Sequence, residues 1–276
     1  MSLQRSWRTY LSTILSIILG LLVAFPLFYA IFAGFKTEGE FGAYPPTILP
    51  NSFAYLENFK EVLFHTMIPR FMLNSFMIAI TITAVRLILS TLAAYALAFL
   101  NFPGRTFIFI FILGTMMIPS EALLISNFIT VSKLHLLNTY LGIMIVSFVS
   151  ATQVFMFRQS FKSISGTLRE AAFLDGCGDF RFYAKICMPV SVPIITSLGL
   201  SSFVNVWNSY LWPLLVTTKE EMRTVQVGIT LLSAHEGSNY ALVFAGITII
   251  LIPSIIFFMF FQRNIIGGMF NGSVKG

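Results

Sequence analysis

Thr167-Leu168-Arg169-Glu170-Ala171-Ala172-Phe173-Leu174-Asp175-Gly176-Cys177-Gly178-Asp179-Phe180-Arg181-Phe182-Tyr183-Ala184-Lys185-Ile186-Cys187-Met188-Pro189 is a charged island in a chain that is otherwise mostly apolar. Of the 276 residues, 57% are hydrophobic and only 10% are charged, and the mean hydropathy is +0.84. A water-soluble domain of this size does not carry such a composition. The contrast marks where a membrane-embedded chain presents a structured surface to a soluble partner.

On either side of the island the sequence divides into apolar runs. A helix needs about 20 mainly apolar residues to cross a hydrocarbon core of about 30 Å. Six runs answer this description, at about 9–35, 71–100, 106–126, 139–158, 190–218 and 240–262, and they leave 159–189 as a loop. The expected fold is an all-α membrane protein with six transmembrane helices in a single domain, 1–276. Pro26, Pro193, Pro213 and Pro253 lie in or near the runs. Such breaks are tolerated in lipid where neighbouring helices re-satisfy the backbone, so the runs imply a bundle. The third and fourth runs are short enough to be read alternatively as re-entrant or buried helices.

Basic residues near helix ends stay on the cytoplasmic side. With the N-terminus inside, ten basic residues (Arg5, Arg8, Arg105, Arg158, Lys162, Arg169, Arg181, Lys185, Arg263, Lys275) fall inside and six (Lys36, Lys60, Arg70, Lys133, Lys219, Arg223) outside. Arg86 is left within a span. Acidic residues divide the other way, three inside against eight outside. Both termini are therefore expected in the cytoplasm, and the formal charge of +6 is a topology signal rather than a nucleic-acid surface. The first run is longer than a signal-peptide core and has no clear Ala-x-Ala site, so it reads as a mature helix. Cys177 and Cys187 both lie in the inner loop, where thiols stay reduced, and no nearby His completes a metal site.

Inside the island, Thr167 and Glu170 have the spacing of a capping box. Gly176 suits the left-handed residue that ends the following short helix. Asp179 is placed to cap a second helix running to Met188 and stopped by Pro189. The outcome is a bent two-helix unit lying against the membrane, which a plain connector would also satisfy. Of the outer connections, that from Lys36 to Arg70 contains an amphipathic stretch at 54–64, and that from Lys219 to Asn239 carries six charged or titratable residues including His235 and Glu236.

The spacing Glu170-Ala171-Ala172, Gly176, Ile186 and Pro189 resembles the EAA loop of permease subunits in binding-protein-dependent ABC importers. Met188 stands where that family usually has Leu. The resemblance extends along the chain and narrows to the carbohydrate type, which includes the maltose and glycerol-3-phosphate importers. Ala93-Ala94-Tyr95-Ala96-Leu97-Ala98 with Phe102-Pro103-Gly104-Arg105, Met116-Met117-Ile118-Pro119, Leu136-Leu137-Asn138-Thr139-Tyr140, Trp207-Asn208-Ser209-Tyr210-Leu211-Trp212-Pro213, and the tail with Gly267-Gly268 and Gly272 to Gly276 carry it. It implies a type I importer architecture and a multi-pass location in a bacterial cytoplasmic membrane. It also implies a second permease subunit, two cytoplasmic ATPases and an external substrate-binding protein as partners. Glu170, Ala171, Ala172, Asp175, Gly176, Ile186 and Pro189 would couple the chain to an ATPase. ATP and Mg would be held by that partner, since this chain has no Gly-rich Lys phosphate loop; no cofactor is expected on the chain itself.

A substrate path is sought where polar groups enter a span. The fifth run has the densest such cluster, with Ser201, Ser202, Asn205, Asn208, Ser209 and Tyr210. Amides and hydroxyls with an aromatic face suit a sugar, and interhelical hydrogen bonding explains the same residues. Trp207, Tyr210 and Trp212 also fit an outer aromatic belt. Arg86 faces a bundle interior, a partner or water, either in a salt bridge, with Glu121 as a candidate, or in the path. A secondary transporter or channel is the competing transport class. An enzyme is disfavoured, because no nucleophile motif, paired intramembrane carboxylates or His-rich spacing is present, and His65, His135 and His235 are scattered in loops.

Overall fold

The computed structural model describes residues 7–235 and 239–270. Arg5, Glu236, Lys275 and the tail Gly272 to Gly276 lie outside them. Every regular element among the described residues is helical: α1 (Trp7–Gly34), α2 (Glu38–Phe41), α3 (Glu57–His65), α4 (Ile68–Phe99), α5 (Arg105–Thr115), α6 (Leu124–Lys133), α7 (Tyr140–Met144), α8 (Ala151–Lys162), α9 (Gly166–Leu174), α10 (Asp179–Phe182), α11 (Met188–Val190), α12 (Val192–Trp207), α13 (Leu211–Val216), α14 (Val225–His235) and α15 (Tyr240–Phe270).

Two described helices are long and apolar enough to cross a membrane unbroken, Thr9–Gly34 and Ile68–Phe99. Three bent pairs bring the number to five if each pair is one span: Arg105–Thr115 with Ser120–Lys133 at 94°, Tyr140–Ser147 with Ala151–Lys162 at 47°, and Asp179–Val190 with Val192–Trp207 at 77°. Bends of this size need backbone partners inside the protein, because lipid offers none. The run expected at 190–218 is itself interrupted, since α12 stops at Trp207 and α13 begins at Leu211.

The chain divides into two compact units. The first consists of the described residues up to Pro69 with Gly228–Pro253. In it the apolar side chains of α1 up to Phe28 are exposed, as a helix facing lipid or another subunit would leave them. Toward its end α1 meets α15 closely: a Cβ on Gly34 would lie 3.1 Å from Ala245 Cα, and Thr248 Oγ1 donates to Ala30 O. Small residues at such a crossing let backbones approach, which is how helices associate where burial itself contributes little. Lys36 is buried, its Nζ donating to Thr47 O and lying 5.7 and 5.5 Å from the rings of Tyr29 and Phe41. The amphipathic stretch expected at 54–64 is α3, anchored by Asn58, whose Nδ2 donates to Gly34 O and Lys36 O at 2.9 and 2.8 Å.

The second unit consists of Arg70–Val227 and the described residues from Ser254 onward. It holds two apolar cores. One gathers Ile78, Ile82, Val131, Ile143 and Val216 from α4, α6, α7 and α13. The other gathers Ala94 and Tyr95 of α4, Phe157 and Phe161 of α8, Ala172 of α9, Phe182 and Cys187. Gly104 at φ 79° turns the chain from α4 into α5, and Arg105 Nη1 closes that turn on Leu100 O at 2.9 Å. A polar clasp closes the other end of this unit. Asn138 at φ 57° accepts at Oδ1 from the backbone N–H groups of Thr218 and Lys219, at 2.6 and 3.1 Å. Tyr140 OH donates to Asn74 Oδ1 at 2.9 Å, and Asn74 Nδ2 donates to Glu221 O and Arg223 O. Asn138 and, through Asn74, Tyr140 thus tie down the segment 216–225, while Thr139 caps α7 by accepting from Gly142 N at 3.0 Å.

Candidate functional site: a bent loop and two polar clefts

Helix α9 begins two residues earlier than the sequence suggests. Ser165 is its N-cap and accepts from Leu168 N at 3.2 Å, so the expected capping box on Thr167 and Glu170 is not formed. The Thr167 hydroxyl is engaged by Ser165 Oγ instead of capping a helix of its own. The C-terminus matches expectation: Gly176 sits at φ 75°, Cys177 N donates to Ala172 O at 2.9 Å and Gly176 N donates to Phe173 O at 3.0 Å. These two bonds make a complete Schellman ending, which satisfies the last carbonyls and reverses the chain.

Asp179 does not cap the next helix with its side chain, for Gly178 occupies the cap position. Its carboxylate accepts instead from Tyr95 OH at 2.8 Å and from Arg169 Nη2 at 3.3 Å. Nor does Pro189 stop that helix. The helical path passes through a π turn at Tyr183–Cys187 and ends at Ser191. A proline lacks an N–H and crowds the carbonyl four residues back; the wider π turn just before it relieves both demands.

The loop is therefore two-faced. Ala172, Phe182, Cys187 and Ile186 pack inward on Ala94, Tyr95 and Phe161, and Thr91 Oγ1 and Tyr183 OH share a hydrogen bond at 2.9 Å. Glu170, Ala171, Asp175, Gly176 and Pro189 are exposed, beside Leu174 at 89% and Phe180 at 76% exposure. These two large apolar side chains stand bare on a short, internally braced loop. Burial pushes the Cys187 thiol up to about 12, with Arg169 acting weakly against the shift. The reactive thiolate is thus scarce at neutral pH. A maleimide at pH 7 is expected to label Cys177, which is partly exposed, and to leave Cys187 unlabelled until the protein is denatured; equal labelling of both would contradict this packing.

The polar residues of the spans meet in two adjoining clefts. The narrower, of about 130 Å³, is lined by Ser75, Arg86, Ser147, Asn205, Ser209 and Thr224 over an apolar floor that includes Ile78 and Trp212. The wider, of about 500 Å³, shares Ser147, Ser209 and Trp212 with it and adds Glu121, Asn127 and Tyr210. Arg86 Nε donates to Ser147 O at 2.7 Å and its Nη1 to Ser202 Oγ at 3.0 Å. Ser147 closes the last turn before the bend into α8, so its carbonyl lacks a helical donor and Arg86 supplies one. Glu121 is not the partner of Arg86; it accepts from Ser120 Oγ at 2.9 Å, since the bend after α5 carries it into the wider cleft.

Asn205, Arg86 and Tyr210 thus come to the clefts, whereas Asn208 lines neither and accepts from Gln226 Nε2 at 3.2 Å. Asn205 and Asn208 part company because the helix ends between them, with Asn208 at the C-cap of α12. Trp207 is buried and stacked on Phe203 at 6.0 Å, so its indole is internal; Trp212 is half-buried, lines both clefts and donates from Nε1 to Ile143 O at 3.0 Å. Ser75, Ser147 and Thr224 escaped sequence reading. Ser75 was within reach, because 75, 78, 82 and 86 follow the helical spacing of one face. Thr224 was not, as it lies outside every span.

A family model described as binding-protein-dependent transport system inner membrane component matches residues 87–270. The arabinooligosaccharides transport system permease protein AraQ of Halalkalibacterium halodurans is 34% identical over 285 residues, covering 99% of this chain and 100% of the relative. The sn-glycerol-3-phosphate transport system permease protein UgpE of Brucella melitensis is 34% identical over 267 residues, covering 92% and 94%. Among solved structures, a bacterial ABC transporter involved in the import of the acidic polysaccharide alginate superposes with a TM-score of 0.83 at 23% identity, over 95% of this chain and 99% of the matched chain. The architecture is that of a type I ABC importer permease. The chain belongs to the inner membrane components of binding-protein-dependent transport systems, a family of transport permeases and not of enzymes.

Proposed function

We propose that this chain is the membrane-spanning permease subunit of an ATP-driven importer for a sugar, an oligosaccharide or related carbohydrate, in a bacterial cytoplasmic membrane. The observation that carries the reading is the two-faced loop, whose inner side is welded to α4 and whose outer side presents Glu170, Ala171, Asp175, Gly176, Leu174 and Phe180. In this reading six spans place both termini and the loop in the cytoplasm. Closure of two partner ATPases moves the loop, and Tyr95 and Ala94 carry the motion into α4, whose other face lines the narrower cleft. The path then alternates between outward and inward access, with a second permease subunit opposite and an external binding protein delivering the substrate. Glycerol-3-phosphate or a polyol is the alternative cargo within the same class, supported by the relative named for that substrate.

The test is reconstitution with the co-purifying subunits and binding protein, read as ligand-stimulated ATP hydrolysis and uptake across a panel of carbohydrates. Stimulation by at least one is expected; transport that persists without any ATPase would support a secondary transporter or channel instead. Tyr210→Ala is expected to lower uptake about ten-fold or more while assembly survives, the loss of one aromatic contact and its hydroxyl. Asn208→Ala is expected to act less, since its amide faces Gln226 rather than a cleft.

A further inference from the structure

We infer that the narrower cleft is an anion subsite, and that the cargo carries a phosphate or carboxylate group which Arg86 and Thr224 receive there. This rests on the importer reading above and narrows its substrate class. The lining of that cleft contains one cation, Arg86, and no carboxylate. Glu121, which lines the adjoining cleft, makes no ion pair with Arg86 among the described residues. The guanidinium is oriented by two neutral acceptors, Ser147 O and Ser202 Oγ, through Nε and Nη1, and among the described residues its Nη2 group meets no acceptor from the chain. Nε and Nη1 belong to different edges of the planar fork, so Nη2, which lies between those edges and carries two N–H donors, is the group left to donate to an oxyanion.

A second observation points into the same space. Thr224 lines the cleft and is 4% exposed, and its Oγ1 has no hydrogen-bond partner among the described residues. Buried hydroxyls are ordinarily satisfied; this one is closed off as it stands, and a rotation about χ1 is what would present it to a group in the cleft. Ser75, 3% exposed, stands beside it with Oγ accepting from Val225 N at 2.8 Å, which directs its own O–H away from that backbone contact. An uncompensated charge within a span is costly, and a neutral hydroxyl does not neutralise it. An anionic head with the carbohydrate body extending toward Tyr210 and Trp212 satisfies the charge, the orphan hydroxyl and the aromatic faces together.

The experiment uses the assembled importer in proteoliposomes and matched probes: glycerol 3-phosphate against glycerol, and a uronic-acid disaccharide against a neutral disaccharide. The first pair reports phosphate, the second carboxylate. Wild type is expected to take up one anionic probe in preference to its neutral match. Arg86→Gln should lower uptake of that probe about ten- to hundred-fold, the range for losing a charge-assisted hydrogen bond, with Arg86→Lys intermediate and Thr224→Val reduced several-fold. Preference for the neutral probes by wild type would overturn the inference. So would a parallel fall of anionic and neutral uptake in Arg86→Gln, which would make Arg86 only a clamp between α4, the bend before α8 and α12. If Arg86→Gln does not assemble, the wild-type preference and Thr224→Val decide. Absence of ATP-dependent uptake of every carbohydrate would instead defeat the importer reading itself.

Discussion

Gly176→Val is expected to reduce ligand-stimulated ATP hydrolysis of the assembled complex to its unstimulated rate. The reason is conformational. Gly176 holds φ 75°, and a Cβ there would meet nothing within 4 Å, so the added side chain has room but the wrong backbone. A left-handed residue costs an ordinary L-amino acid about 1–2 kcal/mol, and β-branching makes it worse. The Schellman bonds from Cys177 N and Gly176 N would be lost, and with them the fixed angle between α9 and α10. Gly176→Asn should retain much of the activity, because Asn tolerates this region. Full activity in the valine variant would remove the loop from coupling; equal damage by asparagine and valine would show that the effect is not one of backbone conformation.

Gly142→Ala should destabilise the whole subunit rather than its coupling. An added Cβ would stand 2.1 Å from Leu136 O, a backbone atom that cannot swing aside as a side chain would. Leu136 opens the turn containing Asn138, so relieving the clash disturbs the clasp on Thr218 and Lys219. Overpacking of this kind costs about 1–3 kcal/mol or more, and the melting temperature of the purified complex is expected to fall by about 5 °C or more. A melting temperature unchanged within a degree would mean that α7 and the preceding turn are looser than their geometry indicates.

Composition and run length made the helical membrane class legible, and the Glu170 to Pro189 spacing made the family legible, because both signals are local in sequence. Gly176 was readable for the same reason: a left-handed helix end has a single favoured residue. Other features depend on competition between neighbours or on distant partners. Ser165 displaced Thr167 as a cap, and nothing within the island forecasts that Asp179 turns to Tyr95, 84 positions away. Arg86 was recognised as anomalous, but its partners are a carbonyl freed by a bend and a hydroxyl on α12, neither of which has a charge signature. Thr224 belongs to a connection, where a threonine excites no suspicion until its burial is known. The split between Asn205 and Asn208 follows from where α12 ends, and helix ends inside an apolar run leave little trace in sequence.

The π turn at Tyr183–Cys187 gives the loop a screw adjustment. A π turn accommodates one residue more than an α turn over the same rise, and one residue of α-helix is about 100° of rotation. Winding that residue out would swing α10 and the exposed Phe180 about the axis leading toward Ser191 without lengthening the helix by more than a fraction of a turn. Removing one residue between Tyr183 and Cys187 therefore re-aims the exposed face of the loop while leaving its chemistry intact.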